Sequence, residues 1–125
     1  MPSGVAADRR QSLGKMGEEL ACGELRRRGY DVLARRYRTR HGEIDIIARD
    51  RQAIVFVEVK TRQDDRFGGA GAAVTTVKQR RLARLATDYL ARHGWLDAEC
   101  RFDVVTIDFN GGDPRIEVIT HAFTA

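Results

Sequence analysis

Hydrophobic and polar positions repeat along the chain with two different periods, which predict two helices and five strands. Apolar residues recur every three to five positions from Leu13 to Arg28 and again from Thr75 to Arg92, as on one face of a helix. Five other segments have the alternation and β-branched composition of strands. They are residues 30–37, 43–49, 53–61, 101–109 and 115–123. This order predicts an α/β domain with a central mixed five-stranded sheet flanked by helices.

Glycines and short polar breaks mark the boundaries between these elements. Gly29 suits the C-cap of the first helix, and the three arginines before it complement the negative end of the helix dipole. The polar break at residues 50–52 is short enough for an antiparallel hairpin. His93 and Gly94 end the second helix. The buried stripe of that helix is expected to comprise Val77, Leu82, Leu85, Ala86, Tyr89 and Leu90.

Two segments lack any periodicity. Residues 1–12 are small and polar, which predicts a disordered tail. Residues 62–73, RQDDRFGGAGAA, are glycine-rich and charged, which predicts a mobile loop. The remaining chain, residues 13–125, is predicted to form a single domain that is long enough to bury a core.

The composition of the chain favours one cellular compartment, the cytoplasm. No apolar run approaches the roughly 20 residues that cross a bilayer, and the N-terminus lacks the apolar segment of a secretory signal. A cytoplasmic protein without membrane contact is expected. The two cysteines, Cys22 and Cys100, lie far apart without metal-ligand spacing, so free thiols are favoured over a disulfide.

The charge balance points to a polyanionic partner. The net charge is +4 and arises mostly from arginine, because the chain has only three lysines. Arginines cluster at residues 26–28, 35–40 and 80–84. Such clusters favour phosphate contacts with nucleic acid, although a bias in genomic composition also produces arginine-rich surfaces.

Charged residues interrupt the two apolar strands of the predicted hairpin. If the strands pair around residues 51 and 52, residues whose numbers sum to 103 face each other, as Asp45 and Glu58 do. Directly opposed like charges are destabilising. Lys60 shares the face of Glu58 because strand side chains alternate, and Glu43 lies opposite Lys60. One face therefore carries these four charges, and the valines of the second strand point into the core behind it. Those valines are Val55, Val57 and Val59.

A divalent cation would relieve the repulsion between the two carboxylates. Mg²⁺ prefers oxygen ligands and commonly uses one or two carboxylates together with substrate phosphate. The backbone carbonyl of Val59 could supply a further ligand, and Lys60 could orient or deprotonate an attacking water. The alternative is an ordinary set of ion pairs on an exposed sheet face, which contribute little to stability.

The motifs GEIDIIARD, VFVEVKTR, FGGAGAAV with KQRRL, and RFDVV are similar to those of the uncharacterised bacterial YraN family. That resemblance extends from about residue 13 to residue 121. The family in turn resembles the restriction-endonuclease-like PD-(D/E)xK nucleases, and the archaeal Holliday junction resolvases in particular. The resemblance implies a restriction-endonuclease-like fold, Mg²⁺ or Mn²⁺ as cofactor, and nucleic acid as partner, with DNA favoured over RNA.

The same resemblance implies a set of site residues. Glu18 on the first helix precedes Gly29 by eleven positions, as in the resolvases, and is implied to join the strand acids at the metal. The implied catalytic set is Glu18, Asp45, Glu58, Lys60 and Gln79, and the implied metal ligands are Glu18, Asp45, Glu58 and Val59. Ile44 stands where the namesake motif has proline. Glu19 points about 100° away from Glu18 on a helix and is expected at the surface.

Basic residues near these positions are candidate contacts to the nucleic-acid backbone. They are Arg38, Arg62, Lys78, Arg80 and Arg81. His41, Phe67 and Glu43 are left without an assigned role. A metal-dependent endonuclease that acts on DNA is therefore the first hypothesis, and the resolvase likeness implies branched or structured DNA as its substrate and a homodimer as its assembly. A non-catalytic nucleic-acid-binding module and a structural or adaptor protein are the alternatives.

Overall fold

The fold is given by a computed structural model that describes residues 2–63 and 74–124, with side chains from residue 12 onward. Within these residues the chain forms two helices and five strands in the predicted order. The helices are α1 (Pro2–Arg27) and α2 (Thr76–Arg92). The strands are β1 (Asp31–Thr39), β2 (Gly42–Asp50), β3 (Ala53–Arg62), β4 (Cys100–Asp108) and β5 (Arg115–Phe123). The predicted loop of residues 62–73 lies mostly outside the described residues.

The five strands form one mixed sheet in the order β1-β2-β3-β4-β5. Neighbours are antiparallel except β3 and β4, which are parallel. A parallel pair requires a crossover connection, and α2 lies in the connection between these two strands. The prediction of an α/β domain with a central mixed five-stranded sheet is confirmed.

Both faces of the sheet are covered, which explains why β3 reads as an almost continuous apolar run. On one face, which we call the α1 face, Ala21, Cys22 and Leu25 pack with Ile46, Ala48, Val55, Val57, Val105 and Ile107. On the opposite α2 face, Leu82, Leu85, Ala86, Tyr89 and Leu90 pack with Ile44, Ile47, Ile54, Phe56, Phe102 and Val104. Side chains of β2 and β3 therefore have two different neighbourhoods.

Two predictions about the helices are corrected. Helix α1 begins at Pro2 rather than at Leu13, so residues predicted as a disordered tail continue the helix; alanines and arginines in this segment favour helix propagation. Val77 was placed in the buried stripe of α2, but 69% of its surface is exposed. At about 100° per residue Val77 lies on the side of the helix opposite Ala86.

The remaining sequence predictions about boundaries hold closely. Thr75 caps α2 by accepting a hydrogen bond from the Lys78 backbone, and His93 is the C-cap. Cys22 and Cys100 are free thiols, as predicted. Within the described residues, neither helix is long and apolar enough to cross a membrane.

A buried ionic network ties β4 to the rest of the sheet. Asp103 is fully buried and accepts hydrogen bonds from Arg101 Nε at 3.1 Å and from the His121 backbone at 3.1 Å. Arg101 Nη2 also donates to Asp50 at 2.8 Å and to the Tyr30 hydroxyl at 2.6 Å. Burial alone would lower the pKa of Arg101, but its hydrogen bonds to the two aspartates raise it.

Candidate active site

A concave pocket of about 580 Å³ opens on the α1 face, where α1 passes the ends of β1, β2 and β3. We call it the carboxylate pocket because three acidic side chains enter it. Its lining consists of Gly14, Lys15, Glu18, Arg36, Arg38, Glu43, Asp45, Val59 and Thr61. The pocket thus collects residues from four separate elements.

The close approach of α1 to β3 brings Glu18 into this pocket. Gly17 is buried, and a Cβ atom at this position would lie only 1.9 Å from Cγ2 of Thr61. Real Cβ atoms do not approach other carbons so closely, so only glycine allows the helix to rest here. The next residue, Glu18, therefore reaches the pocket from the helix.

An irregularity shared by β1 and β2 brings Asp45 to the same face. Arg36 lies opposite Asp45, between the pairs Arg35↔Ile46 and Tyr37↔Ile44, and has a positive φ of 53°. Asp45 and Ile46 are consecutive, yet both lie on the α1 face, whereas alternation would place them on opposite faces. The break in alternation lets a polar pocket adjoin the apolar core on one side of the sheet.

The carboxylates of Glu18, Glu43 and Asp45 converge in the pocket. One oxygen atom from each lies within 4.8 Å of those of the other two. Glu18 is paired with Arg36 at 2.7 Å and Glu43 with Arg38 at 3.0 Å. Among the described residues Asp45 has no cationic partner, and its Oδ2 accepts a hydrogen bond from the Val59 backbone at 2.8 Å.

The environment of Asp45 disfavours its ionised form. Burial is the main cause, the charge of nearby Glu58 adds to it, and the hydrogen bond from Val59 counteracts both. Together these effects raise the pKa of Asp45 from 3.8 to about 7. A carboxyl group in this state is stabilised by an added cation, because the cation offsets the repulsion that burial strengthens.

The predicted hairpin register is confirmed, but the predicted shared face is wrong. Pairing between β2 and β3 runs from Asp50↔Ala53 to Ile46↔Val57, so paired residue numbers sum to 103. Beyond the last pair, Asp45 and the Val59 backbone are joined through the aspartate side chain.

Glu58 lies on the opposite side of the sheet from the carboxylate pocket. Its side chain is buried and forms an ion pair with Lys78 of α2. Val59 lines the pocket instead, because β3 keeps its regular alternation while β2 does not. Lys60 has the same strand parity as Glu58, does not line the pocket, and has no ion-pair partner among the described residues.

The other predicted residues have varied surroundings. Lys78, a predicted phosphate contact, forms an ion pair with Glu58. Gln79, a predicted catalytic residue, donates a hydrogen bond from Nε2 to the Val74 carbonyl at 2.8 Å. This bond links α2 to the residues just before it. Arg62 lines a separate cavity of about 350 Å³ beside the carboxylate pocket, and one of its terminal nitrogens is buried without a hydrogen-bond partner among the described residues.

Four further positions from the sequence analysis are Glu19, Arg80, Arg81 and Phe67. Glu19 pairs with Arg35 and is exposed, as predicted. Arg80 and Arg81 are exposed on α2 and line a groove together with His41. Phe67 lies outside the described residues.

Sequence reasoning assigned no role to Arg36 or Glu43. For Glu43 the available signal was the arginine run of β1, because opposite charges on neighbouring strands stabilise a sheet, as Arg38 and Glu43 do here. Arg36 pairs instead with Glu18 of α1. Alternation placed Glu43 on the face of Asp45 correctly, but the positive φ at Arg36 has no local sequence signature, since neither glycine nor asparagine occurs there.

The donor set of the carboxylate pocket fits a hard divalent cation. Three carboxylates supply oxygen atoms, which are the ligands that Mg²⁺ and Mn²⁺ prefer. Two of the three are already paired with arginines, so their negative charge is partly offset, and Asp45 is the residue that most lacks a cation.

The fold and pocket define an α/β protein whose mixed five-stranded sheet is consistent with the restriction-endonuclease-like fold. The chain belongs to the uncharacterised protein family UPF0102, whose family model matches residues 17–107. A UPF0102 protein of Geobacter metallireducens is 50% identical over 113 residues, which cover 90% of this chain and 93% of that protein. A UPF0102 protein of Mycolicibacterium vanbaalenii is 48% identical over 117 residues, which cover 94% of this chain and 95% of that protein.

Proposed function

We propose that this chain is a Mg²⁺-dependent endonuclease that hydrolyses phosphodiester bonds in DNA, with branched DNA as the favoured substrate, in the cytoplasm. The observation that supports it is the convergence of Glu18, Glu43 and Asp45, from three elements, within 4.8 Å. Arg36 and Arg38 line the same pocket. Acidic oxygens beside guanidinium groups are the side chains that a site for a metal ion and a phosphate requires.

In this proposal Glu18, Glu43 and Asp45 hold the cation. A bound Mg²⁺ would lower the pKa of a water molecule and neutralise charge on the phosphate. Arg36 and Arg38 donate hydrogen bonds to phosphate oxygens, and guanidinium groups suit this task because they present paired donors. Val59 holds Asp45 in place through its backbone N–H.

Glu58 and Lys60 are not among the residues that hold the cation in this proposal. Glu58 reaches the cation only if its ion pair with Lys78 opens. Ligation by Glu58 and by the Val59 carbonyl, and the role of Lys60 as a base, therefore stay predictions from the sequence and from the resemblance. Gln79 stays in the same group, because its amide is occupied by the Val74 carbonyl.

The test compares neighbouring glutamates on α1. Glu18→Gln removes a pocket carboxylate, whereas Glu19→Gln removes an exposed carboxylate one residue away that pairs with Arg35. We expect wild-type protein and the Glu19 variant to bind Mn²⁺ in calorimetry and to cleave branched DNA, and the Glu18 and Asp45→Asn variants to lose both. Cleavage that persists in Asp45→Asn, or an equal effect of the two glutamate variants, would contradict the proposal.

A non-catalytic nucleic-acid-binding module is the second candidate. The pairing of Glu18 with Arg36 and of Glu43 with Arg38 supports it, because internal cations already offset most of the acidic charge. This candidate predicts salt-dependent DNA binding that chelators and Asp45→Asn leave unchanged. A structural or adaptor role predicts no DNA binding at all. Homodimer formation belongs to the nuclease proposal, since two cuts are needed to resolve a four-way junction.

A further inference from the structure

A second concave surface lies across the β1–β2 turn from the carboxylate pocket. We call it the arginine groove; it has a volume of about 250 Å³. Its lining consists of His41, Val77, Arg80, Arg81 and Arg84. The three arginines are exposed, and so is the apolar side chain of Val77.

The charges of the arginine groove are not neutralised within the described part of the chain. Arg80, Arg81 and Arg84 form no ion pair and no side-chain hydrogen bond with any described residue. The arginines of β1 behave differently, because Arg35 and Arg36 each contact a glutamate of α1. The groove therefore presents a positive surface that remains available to an anion from outside the described residues.

The placement of these arginines costs helix stability. Arg84 lies four residues after Arg80 and three after Arg81 on α2, and like charges at these spacings destabilise a helix by about 0.2–0.5 kcal/mol per pair. They also lie in the N-terminal half of α2, whose first turn has no acidic residue, although the helix dipole favours acids there. Helix folding alone does not account for this arrangement.

The groove and the carboxylate pocket are adjacent. Gly42 has a φ of +136°, and a Cβ atom there would lie 2.9 Å from Cδ of Arg81, so the arginine stem rests on the strand backbone. The next residue, Glu43, enters the carboxylate pocket. Arg38 is exposed at the rim of that pocket. Cationic side chains thus continue from the pocket over the turn to the groove.

We propose that the arginine groove binds the sugar–phosphate backbone of duplex DNA at a second point, one or more phosphates away from the phosphate in the carboxylate pocket. This inference rests on the proposed function, because it assigns both surfaces to one DNA molecule. The guanidinium groups contact phosphate oxygens, and Val77 contacts the sugar. Contacts of this kind position DNA without reading its sequence.

The experiment measures DNA binding as a function of salt, with Ca²⁺ in place of Mg²⁺ so that the duplex stays intact. The groove variant is Arg80→Gln with Arg84→Gln, and Arg81 is left in place because it packs on Gly42. The matched control is Arg26→Gln with Arg115→Gln, which removes the same charge from exposed arginines elsewhere. We expect about tenfold weaker binding and a salt slope flatter by about 1.8 for the groove variant relative to the control.

Two other measurements separate the possible failures. The groove variant should bind Mn²⁺ as wild type does and should melt at an equal or higher temperature, because it relieves repulsion in α2. If the groove and control variants bind DNA equally, the inference is overturned while the nuclease proposal stands. If groove-dependent DNA binding occurs but Mn²⁺ does not bind, the groove stands and the nuclease proposal fails. Equal weakening with an RNA duplex and with DNA would overturn the preference for DNA.

Discussion

Asp45 is predicted to reduce the stability of the metal-free protein, so replacing it with asparagine should stabilise the fold. Burial and the neighbouring acid raise the pKa of Asp45 from 3.8 to about 7. A shift of one pKa unit corresponds to about 1.36 kcal/mol, so the ionised carboxylate costs the folded state up to about 4 kcal/mol above pH 7. Asparagine has nearly the same shape and still accepts a hydrogen bond from Val59.

The sign of the effect follows from proton binding. Between pH 3.8 and about 7 the folded protein holds a proton on Asp45 that the unfolded chain has released, so this group lowers the free energy of unfolding as pH rises. Below pH 3.8 both states are protonated, and the wild type and the asparagine variant should then differ little. Above pH 7 the variant should be more stable by roughly 1–4 kcal/mol.

Denaturation in urea at several pH values, with a chelator present, measures this difference directly. In the same assay Mn²⁺ should stabilise wild-type protein and leave the asparagine variant nearly unchanged, because a ligand stabilises only the state that binds it. A variant that is less stable than wild type above pH 7 would refute the reasoning. That outcome would instead support a structural role for the carboxylate.

Three further substitutions test individual contacts. Arg101→Leu should lower the free energy of unfolding by about 3–5 kcal/mol, because it leaves the fully buried Asp103 without its cation. Gly17→Ala should destabilise the fold by about 1–3 kcal/mol through its clash with Cγ2 of Thr61, and adding Thr61→Ser, which removes that carbon, should restore stability. Arg36→Gln should tighten Mn²⁺ binding in calorimetry, because the guanidinium competes with the cation for the pocket glutamate.

Each of these substitutions has a control in the same chain. Arg115→Leu removes an exposed arginine and should cost less than 0.5 kcal/mol. Gly23→Ala lies on the exposed side of α1 with no atom nearby, so it should be neutral or stabilise the helix. Arg35→Gln removes the neighbouring arginine, which contacts Glu19 outside the pocket, and should leave Mn²⁺ affinity unchanged. Parallel behaviour of a test and its control would show that the contact in question is not responsible.

Local patterns were sufficient for the order of the helices and strands and for one register, although they missed the N-terminal part of α1 before Leu13. The alternation of β2 and β3, with a short turn, predicted that residue numbers sum to 103, and the ladder has this register. The buried stripe of α2 was correct at five positions and wrong at Val77, which lies on the side of the helix opposite Ala86. Such features depend on neighbours in the chain, which the sequence displays.

The candidate site could be predicted only in part from the sequence. Asp45 followed from the hairpin register and Glu18 from the resemblance, and the structure places both in the carboxylate pocket. Glu58 was assigned to the same face, but it is buried on the other side of the sheet with Lys78. The assignment failed because it assumed that both strands alternate without interruption, and the left-handed backbone at Arg36 breaks the alternation across from Asp45.

The sequence by itself determined the elements, the hairpin register and the two carboxylates most in need of explanation, because these depend on residues a few positions apart. Only the tertiary structure decided which charges meet. The contact of Gly17 with Thr61 and the pairs of α1 with β1 join residues far apart in the chain, and their partners depend on how helices pack on the sheet. A one-residue break in alternation moves a side chain from one face of a sheet to the other.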